Sequence, residues 1–308
     1  MNRLRYSTLI AVGFATLVLI IAPRATIAGQ TTGPVKVKSI TLGLVSGTSQ
    51  RGIEAHFQNL VGYVARRLGS GPNTEGKIVI VPTPLQMAKL LEEKKIDFYM
   101  ESPYPTYLIN KQGAASLLLR RWKSGVAEYR SLIFSKRDGE TSRLEQLRGR
   151  MLAFEDPGST SGYFLPKVLL LKKGFTLTEK SALDAKVSSK EIGYVFASTD
   201  VHVVNFVLSK QVAAGAFSDD DYGALEENRK SDITILAQTD PFPRHLVSVR
   251  RDLDPAVKNR LKEILLAMDQ DNEGRSILQQ TDNTTKFDLL PGGEASVRRK
   301  LVETFRPR

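Results

Sequence analysis

One recurrent order constrains this chain more than any other feature. A short apolar run is followed by a turn rich in Ser, Gly, Pro or Asp, then by apolar residues at helical spacing. Ile40 to Val45 reads as a strand and Ser46-Gly47-Thr48-Ser49-Gln50 as its turn. Ile53, Phe57, Leu60, Val61, Val64 and Leu68 form one helix face, which Gly69 can stop. The order repeats at Ile78 to Val81, where Thr83-Pro84-Leu85-Gln86 opens a helix, and at Ile96 to Met100, followed by Glu101-Ser102-Pro103-Tyr104. It returns at Ser131 to Ser135, Met151 to Phe154, Ile192 to Ala197, Val212 to Phe217, Ile233 to Ala237 and Leu246 to Arg250. Strand–turn–helix units in series predict an α/β protein with parallel strands. The order along the chain further suggests two lobes, the first and last thirds forming one and the middle third the other.

The N-terminus reads as an address. Arg3 and Arg5 precede an uncharged run of 14 residues, Leu9 to Ala22, and small residues at Thr26-Ile27-Ala28 suit a cleavage site. That is the build of a secretory signal, and the run is shorter than the roughly 20 residues a spanning helix needs. Residues 1–28 are therefore expected to be removed near Ala28, leaving a periplasmic chain with no membrane insertion. Cleavage would remove Arg3, Arg5 and Arg24 and no acid, taking the formal charge from +11 to +8. The basic residues are dispersed and no nucleic-acid-binding signature accompanies them, so no nucleic-acid partner is expected. The chain contains no cysteine, which excludes disulfides, thiolate chemistry and a lipidated Cys. His56, His202 and His245 stand apart, with no HExxH, and neither a metal nor a cofactor is expected.

Four loops fall where ligands bind in open α/β sheets, beyond the carboxyl ends of strands: 46–50, 101–104, 156–162 and 198–200. The richest is Ser159-Thr160-Ser161-Gly162. Its hydroxyls, its glycine and the free N–H groups of a helix start could bind an anion, and the same residues could equally be an N-cap after a turn. Pro166 just beyond should kink or delay the helix. Asp219-Asp220-Asp221 reads as an acidic turn leaving a strand rather than a metal cluster. Glu155 and Asp156 are adjacent on an extended segment and point to opposite sides, which argues against an acid/base pair. No GxSxG elbow and no GxxxxGK[ST] occurs.

From Phe154 to Pro166, FEDPGSTSGYFLP resembles the DPxSTSG-like loop of the periplasmic phosphate/phosphite/phosphonate-binding proteins of ABC importers. GLVSGTSQ at Gly43 to Gln50, LLEEKKIDFYMESPYPTYL at Leu90 to Leu108, LSKQVAAGAFSDDDY at Leu208 to Tyr222 and Pro241-Phe242-Pro243 extend the likeness along the chain. The resemblance implies a type II periplasmic-binding fold, two lobes of mostly parallel sheet flanked by helices and closing over a small ligand at a hinge. Lobe one would take 29–125 and 221–308, and lobe two 126–220. Ser159, Thr160 and Ser161 would donate to a phosphonate- or phosphate-like oxyanion, faced by Ser46 and Thr48 from the other lobe, with Tyr104 nearby. The family commonly has an aromatic near Glu101 and a His near Asp200. Two carboxylates there would only accept hydrogen bonds and would repel a dianion, pointing to a ligand with an amine or hydroxyls. A two-residue shift of the alignment would instead make His202 the counterpart. The implied protein is a monomer that binds without catalysis and delivers its ligand to an inner-membrane ABC permease. The alternatives are a receptor feeding a membrane sensor kinase, or an enzyme acting on a phosphorylated substrate.

Overall fold

The computed structural model describes residues 36–46, 50–69 and 74–306. The expected signal segment and Thr48 lie outside them. In chain order the first elements are β1 (Ser39–Val45), α1 (Gln50–Leu68), β2 (Glu75–Val81), α2 (Pro84–Glu92), β3 (Phe98–Glu101), α3 (Pro103–Asn110) and β4 (Ala115–Lys123). A two-residue strand β5 (Glu128–Tyr129) precedes β6 (Ser131–Lys136), β7 (Met151–Phe154), α4 (Leu165–Lys172), β8 (Leu177–Glu179), β9 (Ile192–Phe196), α5 (Asp200–Leu208) and β10 (Ala214–Ser218). Then come α6 (Asp219–Ala224), α7 (Glu227–Ser231), β11 (Ile233–Gln238), β12 (Phe242–Pro243), β13 (His245–Arg250), α8 (Pro255–Ala267), α9 (Asn272–Gln280), β14 (Thr284–Asp288) and α10 (Gly293–Phe305).

These strands build two six-stranded sheets, ordered β14-β4-β13-β3-β1-β2 and β11-β6-β10-β7-β9-β8. Each sheet has a parallel half, β2-β1-β3 in the first and β10-β7-β9-β8 in the second. The remaining pairings are antiparallel. This is the two-sheet α/β architecture that the resemblance implies. β11 still pairs with β6, so the chain re-crosses to the first sheet at 239–244, later than the expected 221. The ribbon that joins the two crossings pairs Phe242 with Tyr129 and Pro243 with Glu128.

Local chemistry sets the ends of these elements. Thr83 caps α2 through Gln86 N–H at 3.2 Å, with Pro84 supplying a fixed φ at the first position. Asp254 caps α8 through Ala256 and Val257 N–H, again followed by Pro. Gly174, at φ +80°, ends the α4 segment. β4 and β14 were not legible as strands, because Arg120, Arg121 and the polar run Thr284-Thr285-Lys286 break the apolar pattern. Arg121 is nevertheless buried, with Nε donating to Thr284 Oγ1 at 2.7 Å and Nη2 paired with Asp282 at 3.0 Å. No helix among the described residues is long and apolar enough to cross a membrane.

The first sheet packs α1, α8 and α9 on one face through Ile40, Leu42, Leu60, Val64, Leu261 and Leu265, all essentially inaccessible. A close approach fixes α1 there: a Cβ on Gly76 of β2 would sit 2.7 Å from Val61 O in α1. Backbone on both sides cannot yield, so Gly76→Ala must push helix and strand apart. The variant should lose about 1–3 kcal/mol, the usual range for overpacking. Thermal unfolding should show this as a drop of several degrees, whereas Gly52→Ala, which meets nothing within 4 Å, should show none.

Candidate functional site

A cleft of about 690 Å³ lies beyond the carboxyl ends of β1, β3, β7, β9 and β10. Ser46, Glu101, Tyr104, Ser159, Thr160, Ser161 and Asp200 all line it. Seven of the expected site residues are thus brought together, and the eighth, Thr48, lies outside the described residues. Glu155, Asp156, Asp221, Lys123, Tyr129 and Arg244 also line the cleft.

The Ser-Thr-Ser-Gly loop is engaged with the protein itself. Ser159 caps the turn that follows, its Oγ accepting from Gly162 N–H at 2.9 Å and donating to Glu155 Oε2 at 2.7 Å. Phe164 N–H bonds Ser159 O at 3.1 Å, so residues 160–164 make a π turn and the regular helix waits until Leu165. Pro166 sits at the start of α4, where its missing N–H costs nothing. Gly162 is needed because a Cβ there would meet Glu155 Oε2 at 2.5 Å. The glycine therefore leaves room for a carboxylate inside the loop.

Thr160 is not the accessible loop residue that the sequence suggests. It is 2% exposed, and its Oγ1 accepts from Tyr104 N–H at 2.9 Å and bonds Ser102 Oγ at 2.9 Å. Both partners lie at the start of α3 on the first sheet, whereas Thr160 follows β7 of the second. The hydroxyl is a latch between the two layers. Beside it the Tyr104 and Phe164 rings stack with centroids 3.8 Å apart, and Phe305 from α10 lies 5.3 Å from Phe164 and 5.5 Å from Tyr104.

The remaining expected residues divide by role. Glu101 ends β3 and its Oε1 accepts from Val45 N–H at 2.9 Å, tying the ends of β3 and β1. Burial is the main cause that pushes its carboxyl up to about 7, against the lowering effect of the Val45 and Ser102 N–H groups and of Arg121. Glu155 is likewise pushed up to about 7, chiefly by burial, with Asp156, Asp221 and Asp200 adding repulsion and Ser159 opposing it. Asp200 opens α5 behind Thr199, which caps it through His202 N–H at 3.2 Å. His202 is exposed, its ring Nδ1 lies 3.0 Å from Ala197 O, and it is not among the residues that line the cleft, whereas Asp200 is.

Asp219-Asp220-Asp221 form the first turn of α6 and are all engaged. Asp219 Oδ1 accepts from Arg130 N–H at 2.9 Å, Asp220 pairs with Arg244 at 2.8 Å, and Asp221 closes a capping box with Ser218. No group of His, Asp and Glu among the described residues could hold a metal ion.

Sequence reasoning missed the floor of the cleft, where the two crossings meet. Tyr129 is buried in β5, with its hydroxyl in reach of the Thr160 and Ser161 side chains. Arg244 lies over it, the guanidinium carbon 4.7 Å from the ring centroid. A Tyr before one strand and an Arg before another carry no periodic signal, and only the β5–β12 pairing makes them neighbours.

Residues 42–290 match the family described as ABC transporter, phosphonate, periplasmic substrate-binding protein. The protein XAC2383 of Xanthomonas citri, in its structure bound to chloride ion, is 29% identical over 87% of this chain and 96% of its own, with a TM-score of 0.80. The same protein bound to ATP superposes with a TM-score of 0.77 over the same shares and at 29% identity. PhnD1 of Prochlorococcus marinus in complex with methylphosphonate shares the fold, with a TM-score of 0.62 and 16% identity over 86% of this chain and 97% of that one.

Two outcomes follow from this geometry. Thr160→Val keeps the volume but leaves Tyr104 N–H and Ser102 without their partner, so it should cost about 1–3 kcal/mol of stability in the protein with no added ligand. An unchanged melting temperature would show that the latch carries no weight. Glu101 and Glu155 hold protons in the folded protein that the unfolded chain releases near the ordinary carboxyl pKa. Their contribution is fully present below about pH 4.5 and is lost as pH rises through about 7, so stability should fall between these values. Urea unfolding at pH 5 and pH 8 measures this, and Glu155→Gln should make the slope shallower.

Proposed function

Because the chain belongs to the periplasmic substrate-binding proteins of ABC phosphonate transporters, we propose that its cleft takes a small phosphonate- or phosphate-like oxyanion that also carries an amine or hydroxyls. The observation that carries this reading is the division of charge in the cleft lining. Glu155, Asp156, Asp200 and Asp221 come from the second layer, and the cations Lys123 and Arg244 lie toward the crossings. An oxyanion alone would meet several carboxylates at once. A ligand with an anionic end and a donor-bearing end meets a partner for each. It accords with this that the Xanthomonas citri relative is bound to an anion, chloride in one of the two structures compared and ATP in the other.

The two layers are joined by two short crossings, so closure about them around the ligand is the functional step. Delivery to an inner-membrane permease then needs only that the closed form be recognised. Of the expected ligand contacts, Ser46, Ser161, Tyr104 and Asp200 remain those we assign to the ligand. Thr160 belongs to the latch, and Ser159 acts through Glu155.

Titration calorimetry with phosphate, methylphosphonate and 2-aminoethylphosphonate tests the reading. The aminophosphonate should bind tightest, and Asp200→Asn should reduce its advantage over methylphosphonate by roughly fivefold, the scale of one partly exposed charge pair. Tightest binding by plain phosphate, unaltered in Asp200→Asn, would place the carboxylates outside the site.

A further inference from the structure

Arg244 sits where the return crossing enters β13, and its backbone N–H donates to Ala127 O at 2.9 Å across the ribbon. The side chain is 12% exposed, and its guanidinium carbon lies over the buried Tyr129 ring, 4.7 Å from the centroid. Its contact with Asp220 is end-on, a single pair from Nη2 to Oδ2 at 2.8 Å. Nε is buried with no partner, and so is Asp220 Oδ1. A structural ion pair of this kind would use the two-pronged geometry that satisfies both groups. Here a planar, permanently charged group is held in the cleft lining with its Nε unmet, and a buried unmet donor is costly.

The other cation of the cleft and two of its hydroxyls are committed elsewhere. Lys123 Nζ is paired with Asp282 at 3.0 Å. Thr160 is held by Ser102 and Tyr104, and the Ser159 hydroxyl donates to Glu155. Arg244 also lies on the ribbon between the two layers, directly after β12.

We propose that Arg244 is the anchor for the anionic group of the ligand, a tetrahedral phosphonate, phosphate or sulfonate that accepts from the open donors of its guanidinium. The proposal rests on the reading of the cleft as an oxyanion site and names the residue that selects for the oxyanion. The stack on Tyr129 fixes the guanidinium plane, which lowers the ordering cost of a two-pronged contact. Asp220, which does not line the cleft, competes with the ligand for the same guanidinium. Removing its charge should therefore help binding, whereas removing Arg244 should harm it.

The test is titration calorimetry of the full mature chain with methylphosphonate, phosphate and ethanesulfonate, using the unaltered protein, Arg244→Gln, Arg244→Lys and Asp220→Asn. Arg244→Gln should weaken the oxyanions roughly 10- to 100-fold, the loss of one charge-assisted contact, with Arg244→Lys between it and the unaltered protein. Asp220→Asn should bind them as well or better. If Arg244→Gln and Asp220→Asn weaken binding alike, the pair is a strut between the layers and the anchor is refuted. It is equally refuted if the unaltered protein binds an oxyanion and Arg244→Gln binds it within twofold. If Arg244→Gln fails to fold, as circular dichroism would show, the contrast of Arg244→Lys with Asp220→Asn decides by the same signs. If the unaltered protein binds neither these three nor 2-aminoethylphosphonate, the reading of the cleft as an oxyanion site falls first and the anchor falls with it; if it binds only 2-aminoethylphosphonate, the same variants are compared with that ligand and decide by the same signs.

Discussion

The structure depends on a ribbon of two residue pairs. Tyr129 opposite Phe242 and Glu128 opposite Pro243 hold the outgoing and returning crossings side by side, and Arg244 N–H bonded to Ala127 O extends the contact. That pairing joins the two sheets, together with the Thr160 hydrogen bonds and the Tyr104–Phe164 stack. Phe242 and Tyr129 are both buried, and they continue into an apolar cluster with Leu165, Leu246, Leu301 and Phe305. The joint is thus a piece of hydrophobic core as well as a pair of chain crossings, and a core packs in few discrete ways.

Charge is distributed around that joint by a simple rule of helix starts. Asp200 and Asp221 lie in the first turns of α5 and α6, where a negative side chain is favoured by the free N–H groups and the local dipole. The second layer therefore brings carboxylates to the cleft by building ordinary helix starts. Burial then acts against the accumulated charge, and Glu155 and Glu101 respond by holding protons up to about pH 7. A protonated carboxyl can donate as well as accept, which widens the range of ligands that a crowded acidic cleft can satisfy.

Much of the architecture was legible because parallel strands are buried on both faces and announce themselves as apolar runs. Ile40 to Val45 and Met151 to Phe154 are such runs. Antiparallel β4 and β14 were not, since Arg120, Arg121 and Lys286 enter them, and the arginines find partners such as Asp288, Thr284 and Asp282 more than 160 residues along the chain. The cleft loops were legible for the same reason as the parallel strands: they follow them directly. What each loop residue does was less so. Thr160 has the composition of a ligand donor and the position of a latch, because its partners Ser102 and Tyr104 are 58 and 56 residues away along the chain. Arg244 and Tyr129 likewise become a unit only through the pairing of β5 with β12.

The Thr160 latch has a consequence for transport economy. Its two hydrogen bonds run from protein to protein, so under the proposed closure they would favour the shut form to the same extent in loaded and empty receptors. Every increment of that bias raises apparent ligand affinity, because less of the closing cost falls on the ligand. The same increment raises the share of receptors that are shut around water alone, and these compete with loaded ones for the permease. A receptor of this design therefore trades sensitivity to scarce solute against idle encounters at the membrane, and a single threonine hydroxyl is placed to set the balance.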